Sequence, residues 1–230
     1  PSALRSAASK GRRMHLLAAQ PGGIADGNEA VDLGQSPGDI VFASAADTEL
    51  ACLARAHASL GDGAPSLRLA NLMNLGHNLS VDNWLDATVS GARLVIVRVL
   101  GGESYWPYGV ERLEQLCRDK NIALALLPGD DKPDSELSRR ATLPPEACER
   151  LWRYCVHGGL DNAAECLHYG ADLIGHTTAW REPTPLARAG LYRTGAGQVD
   201  LDNITAAQRR EGRPLALVLF YRALVQAADT

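Results

Sequence analysis

Residues 93–106 read Arg-Leu-Val-Ile-Val-Arg-Val-Leu-Gly-Gly-Glu-Ser-Tyr-Trp. Residues 94–100 are apolar on both faces except at Arg98, and they are rich in β-branched side chains. Such a run suits a strand covered on both sides, as in a parallel sheet between two helix layers. Gly101 and Gly102 stop it. Pro107 fits the first turn of a helix, where no amide hydrogen is needed. Tyr108, Val110, Leu113, Leu116 and Cys117 then recur at helical spacing. The unit is strand, glycine loop, helix, and its loop lies at the carboxyl end of a central strand, where open α/β sheets bind ligands.

The flanking sequence repeats the alternation. Downstream, residues 121–127 read as a further strand. The loop after it carries Asp130, Asp131 and Asp134 beside Lys132, a grouping open both to a cation and to turn and capping chemistry. A helix is expected from Pro144-Pro145 through Tyr154, and a second, capped by Asp161, through Tyr169. Residues 171–175 suit a short last strand. Upstream, residues 14–19, 39–43 and 66–72 read as strands. Asp47 is expected to cap a helix over 48–58, and Ser80 one over 81–89. His77 stands in the loop between a strand and a helix, open to a ligand role or to plain hydrogen bonding.

The expected fold is α/β: a parallel sheet with helices on both faces, three layers in the flavodoxin-like or Rossmann-like manner, plus the start of a second α/β unit. Residues 1–13 are small and basic and are read as a leader or an overlong start outside the fold. Residues 14–175 form the α/β head domain. Residues 176–212 show no sustained period and read as a connecting segment laid over its surface. Residues 213–230 open a truncated next domain, because the apolar run 214–221 is followed by no complete covering helix.

Composition narrows the function classes. The chain has 230 residues, 46% of them hydrophobic, and a net charge of −4. Mild acidity and 5% aromatic content disfavour a nucleic-acid surface. No apolar run reaches the roughly 18 residues of a membrane helix, and no secretory signal core is visible. Cys52, Cys117, Cys148, Cys155 and Cys166 are scattered without a Cys-x-x-Cys pair, which favours reduced thiols and a cytoplasmic location over a metal or redox role. No Gly-Lys-Ser/Thr phosphate loop occurs. Residue chemistry alone names no nucleophile and no catalytic group.

Several phrases carry a family resemblance: Met14-His15-Leu16-Leu17, Asp26-Gly27-Asn28-Glu29-Ala30, Leu67-Arg68-Leu69-Ala70-Asn71-Leu72, the run from Val99 through Trp106 to Gly109, Leu127-Pro128-Gly129-Asp130-Asp131 and Leu219-Phe220-Tyr221-Arg222. Together they resemble the amino-terminal part of the large subunit of aerobic cobaltochelatase, in the family that includes the magnesium chelatase large subunit. The resemblance runs from Met14 to Thr230. It implies a macrocycle-binding subunit that works with AAA+ ATPase subunits to insert cobalt into hydrogenobyrinic acid a,c-diamide in cobalamin synthesis. The whole complex is implied to use cobalt, ATP and magnesium, with no cofactor in this fragment and no catalytic residue carried over to it. Expected partners are the ATPase subunits, the corrin precursor and the remaining domains of the same subunit.

On that reading the loops 20–28, 71–78, 101–106 and 128–134 gather at one sheet edge. His77, Gly101, Gly102, Tyr105, Trp106 and Asp130 are the candidate ligand-binding residues. Tyr105 and Trp106 would lie against a flat macrocycle, and the two glycines would permit close backbone approach. The competing expectation is that the aromatics only cover the domain edge. The alternative function is a free-standing α/β small-ligand-binding or sensor domain.

Overall fold

A computed structural model of the protein describes residues 29–193, 196–202 and 218–227. The expected strand at 14–19, the leader, the loop 20–28 and the first half of the run 214–221 lie outside the described residues.

Four parallel strands form the sheet: β1 (Ile40–Ser44), β2 (Leu67–Asn71), β3 (Leu94–Val99) and β4 (Ala123–Pro128), in the order β2-β1-β3-β4. All three pairings are in parallel register; Ile40 faces Leu67 on one side and Leu94 on the other, and Leu94 also faces Ala123. Parallel neighbours need crossovers. These are supplied by α1 (Asp47–Ser59), α2 (Asn78–Ala87) and α3 (Pro107–Asp119). Beyond the sheet follow α4 (Ser135–Arg140), α5 (Pro145–His157) and α6 (Gly159–Leu173).

Strand alternation divides the core in two. On one face Val41, Val95, Val97, Leu124 and Leu126 pack against α2 and α3. On the other, Ile40, Phe42, Leu94, Ile96 and Leu127 pack against α1, α5 and α6. Each fully buried side chain of this size contributes about 1.5–3 kcal/mol of transfer free energy. The three-layer α/β architecture is therefore the one that the doubly apolar β3 demanded.

Several local expectations change. The helix over 81–89 begins earlier, at Asn78: its cap is His77, whose Nδ1 accepts from Leu79 N at 3.1 Å. Ser80 is buried inside that helix and accepts from Val31 N at 2.7 Å. Asp47 and Asp161 stand in the first turns of α1 and α6, whose caps are Ala46 and Gly158. The last strand expected at 171–175 does not form. Ala163, Cys166, Leu167, Gly170 and Ala171 keep a helical stripe on the core to the end of α6, and a short apolar run cannot by itself tell strand from helix.

The segment after α6 runs over that helix. Thr178 donates to His168 O at 2.6 Å, Arg181 N donates to Glu165 at 2.8 Å, and Asn162 and Thr184 exchange two hydrogen bonds. A small antiparallel hairpin pairs β5 (Leu191–Arg193) with β6 (Gly197–Val199). The described part of the last apolar run, Val218 to Tyr221, lies in no strand, and Leu219 is 92% exposed. It leads into a short helix, Arg222–Gln226, which returns to the body: Gln226 Nε2 donates to Val156 O at 2.7 Å. Among the described residues no helix is long and apolar enough to cross a membrane.

Candidate functional site

All four strands end on one edge of the sheet, and that edge has two unlike halves. The first is the loop after β3. Gly101 (φ +85°) and Gly102 (φ +75°) adopt a backbone open to glycine and costly for other residues. A single 3-10 turn, Glu103–Tyr105, follows. Trp106 is then turned inward and buried, with its Nε1–H on Leu75 O at 2.8 Å and its ring 6.5 Å from that of Trp84. Gly109 makes room: a Cβ there would fall 2.0 Å from the Trp106 ring. Tyr105 is half-buried and reaches Met73 Sδ at 3.9 Å. Glu103 receives Arg140 through Nε at 2.9 Å and Nη2 at 2.5 Å, and Arg140 also holds Glu114 at 2.6 Å. These bonds raise the Arg140 pKa.

The structure thus brings Tyr105 and Trp106 beside the turn at Leu72–Leu75 that precedes His77, while Gly101 lies against Tyr105 and Gly102 against Asp134. His77 is exposed and uses its Nδ1 on the helix cap. Trp106 presents no open face for stacking. Asp134 closes the loop from the α4 side, capping α4 through Glu136 N and Leu137 N. A Cβ on Gly102 would stand 2.9 Å from its carboxylate.

The second half lies where the strand order reverses, between β1 and β3. A cavity of about 340 Å³ opens there, the position at which doubly wound sheets take ligands. Arg98, the one charged residue of β3, points into it from the α1 side and is 8% exposed. Its Nη1 donates to Glu49 Oε1 at 2.5 Å and its Nε to Pro128 O at 3.2 Å. Burial opposes its charge, but the attraction of its surroundings, with Glu49 bonded directly to it, holds its pKa above the usual arginine value. Asp130 belongs to this half. Its carbonyl accepts from Trp152 Nε1 at 3.0 Å, and its carboxylate accepts from Lys132 N at 3.1 Å. Gly129 permits the close floor: a Cβ there would meet the Leu100 backbone at 2.6 Å.

Cys155 and Cys166, on α5 and α6, line the same cavity. A hydrogen bond to Cys166 and then burial push the Cys155 pKa well up, so its thiol stays protonated. The short helix Arg222–Gln226 closes the mouth, and Arg55 Nη2 fixes its end by donating to Ala227 O at 2.5 Å. Among the described residues, no group of three or more His, Cys, Asp or Glu is placed to hold a metal ion. Sequence reasoning passed over Glu49, Cys155, Cys166 and Arg222. The signal that existed was Arg98, a lone charge in a run otherwise apolar on both faces.

No family model matches the chain. Two curated relatives do. The aerobic cobaltochelatase subunit CobN of a Sinorhizobium species is 45% identical over 224 residues, covering 94% of this chain and 18% of the relative. That of Pseudomonas aeruginosa is 41% identical over 220 residues, covering 94% of this chain and 17% of the relative. The chain therefore spans less than a fifth of the length of the curated relatives it matches. The solved catalytic subunit of cobaltochelatase from Mycobacterium tuberculosis aligns at a TM-score of 0.59 over 84% of this chain and 14% of that one. At 23% identity that likeness speaks to the fold alone. By sequence, the chain belongs to the aerobic cobaltochelatase CobN family, as a counterpart of one segment of it.

Proposed function

We propose that this chain is the amino-terminal, non-catalytic part of the large, macrocycle-binding subunit of an ATP-dependent cobaltochelatase, acting in the cytoplasm. The complete complex inserts cobalt, as substrate, into hydrogenobyrinic acid a,c-diamide during cobalamin biosynthesis, with AAA+ subunits hydrolysing magnesium-bound ATP. The observation that carries the reading is 45% identity to a CobN subunit over 94% of the chain. The sequence supports the division of labour, because it has no phosphate-binding Gly-Lys-Ser/Thr loop of its own.

Within that complex the Gly101–Trp106 edge serves as a rigid scaffold for neighbouring domains. Trp106 and Glu103 are engaged within the fold and His77 uses Nδ1 on a local helix cap, which favours support over macrocycle stacking. The test is a cobalt-insertion assay on the full-length subunit with its ATPase partners. The isolated chain should neither insert cobalt nor bind the corrin precursor saturably. The full subunit lacking residues 1–230 should lose activity, and adding the chain in trans should restore part of it. Cobalt insertion by the isolated chain, or full activity without it, would defeat the proposal.

A further inference from the structure

The crevice between β1 and β3 carries polar groups whose bonding is unfinished. Glu49 gives Oε1 to Arg98, but its Oε2 is buried and has no hydrogen-bond partner. Arg222, across the cavity mouth on the tail helix, uses Nη2 on Leu186 O at 3.3 Å, while its Nε is buried and unpartnered. Orphaned buried polar atoms are rare, and an unseen water, ion or ligand is a standard reason for them. Here one is an acceptor and the other a donor, and both belong to side chains lining one cavity.

The pair Arg98–Glu49 adds to the argument. A buried ion pair is a weak source of stability, since desolvation offsets most of the attraction. An apolar pair would fill the place as well, so its presence points to a role other than packing. The rest of the lining is mostly apolar or weakly polar: Leu53, Tyr154, Val156, Ala163 and the thiols of Cys155 and Cys166. The volume, about 340 Å³, falls in the lower range of small-molecule sites.

From this we infer that the crevice is a binding site for a small zwitterion of the free amino-acid type with an apolar side chain. The ammonium group donates to Glu49 Oε2, the carboxylate accepts from Arg222, and the side chain lies against Leu53, Val156 and Ala163. The charge balance selects a zwitterion over a plain acid. Asp130 and Asp131 also line the cavity, so three carboxylates face two guanidinium groups, and an added net negative charge is disfavoured. Because Arg222 stands on the tail helix, the occupant bridges that helix to α1. This inference does not depend on the chelatase reading.

The experiment is a thermal-shift and calorimetric titration of the 230-residue chain with L-leucine, L-methionine and L-phenylalanine. Two one-ended analogues accompany them: 3-phenylpropionate, which lacks the ammonium, and phenethylamine, which lacks the carboxylate. At least one amino acid should bind saturably, and each analogue should bind more than about tenfold more weakly. Arg222→Gln should weaken binding of the amino acid. Ala223→Trp, at an exposed position on the cavity mouth, should abolish it without lowering the melting temperature of the free chain. The inference is overturned if none of the three amino acids saturates. It is overturned equally if an analogue binds as tightly as its amino acid, or if Ala223→Trp leaves binding intact.

Discussion

The two halves of the carboxyl edge are built from the same materials and end up unlike. Both consist of loops leaving parallel strands, and both contain glycines, acids and aromatic rings. In the Gly101–Trp106 half, Trp106 Nε1 and the Glu103 carboxylate are bonded within the fold and His77 Nδ1 caps its helix, although Trp84 Nε1 behind the loop is buried without a partner. In the crevice half, Glu49 Oε2 and Arg222 Nε are buried without partners beside an ion pair of low exposure. An aromatic-rich loop that has completed its own bonding is part of the framework. A cavity that has not is where a ligand gains most, because it removes an existing penalty.

Mutations can break this contrast. The largest effect is expected at Trp106. Replacing it with Ala deletes a buried ring and strands Leu75 O, and should cost about 3–5 kcal/mol in urea unfolding. It should leave crevice binding unchanged in any variant population that remains folded. A cost below about 1 kcal/mol would mean the ring is not structural, and the macrocycle reading of that loop would return.

In the crevice the expectation depends on pairing. Arg98→Met alone leaves Glu49 buried without its cation and should cost about 3–5 kcal/mol. Combining it with Glu49→Leu should recover most of that loss, and the double variant should come within about 1 kcal/mol of the parent or exceed it. Ligand binding should still be lost. If the double variant stays as unstable as the single one, the ion pair is structural and the contrast between the halves collapses.

Much of the fold was legible because β3 announces itself. Leu94 to Val99 is apolar on both faces, and only a sheet between two helix layers buries both. The strands 39–43 and 121–127 were placed within one or two residues of β1 and β4. The helix caps were not, since Ser80 looks like a cap and is a buried acceptor for a backbone amide 49 residues away. Ala171 to Gly175 looked like a strand because its register on the core depends on the helix before it. The crevice was hidden for a similar reason. Glu49, Arg98, Cys155 and Arg222 come from four separate elements, and no spacing in the sequence joins them. Arg98 alone stood out, as a charge where the strand had no other.

A smaller effect is expected at Gly101. Its φ of +85° strains any residue with a Cβ, yet a Cβ there would meet nothing closer than Tyr105 at 3.5 Å. Gly101→Ala should therefore cost about 1–2 kcal/mol through the backbone alone, measurable as a lowered urea midpoint with an unchanged slope. A larger loss would show that the loop depends on close approach as well as on conformation.

The smallest effect concerns the lid of the crevice and is read through pH. His157, at the end of α5, has a buried Nδ1 without a partner. Burial first, then the charges of Arg153 and Arg222, lower its pKa below the usual histidine value. A lowered folded-state pKa means the fold favours the neutral ring. That contribution is fully present above the unfolded value of about 6.5 and is lost as pH falls through the folded value. The cation that forms is repelled by Arg153 on its own helix and by Arg222 on the tail helix, so part of the repulsion acts on the segment that closes the cavity. Amide exchange at Arg222–Gln226, corrected for its intrinsic pH dependence, should therefore lose protection as pH drops from about 7 to about 5. Exchange in β3 should not change over that range. His157→Gln should flatten the response. Protection that stays constant in the parent chain would detach the tail helix from His157 and leave the crevice lid insensitive to acid.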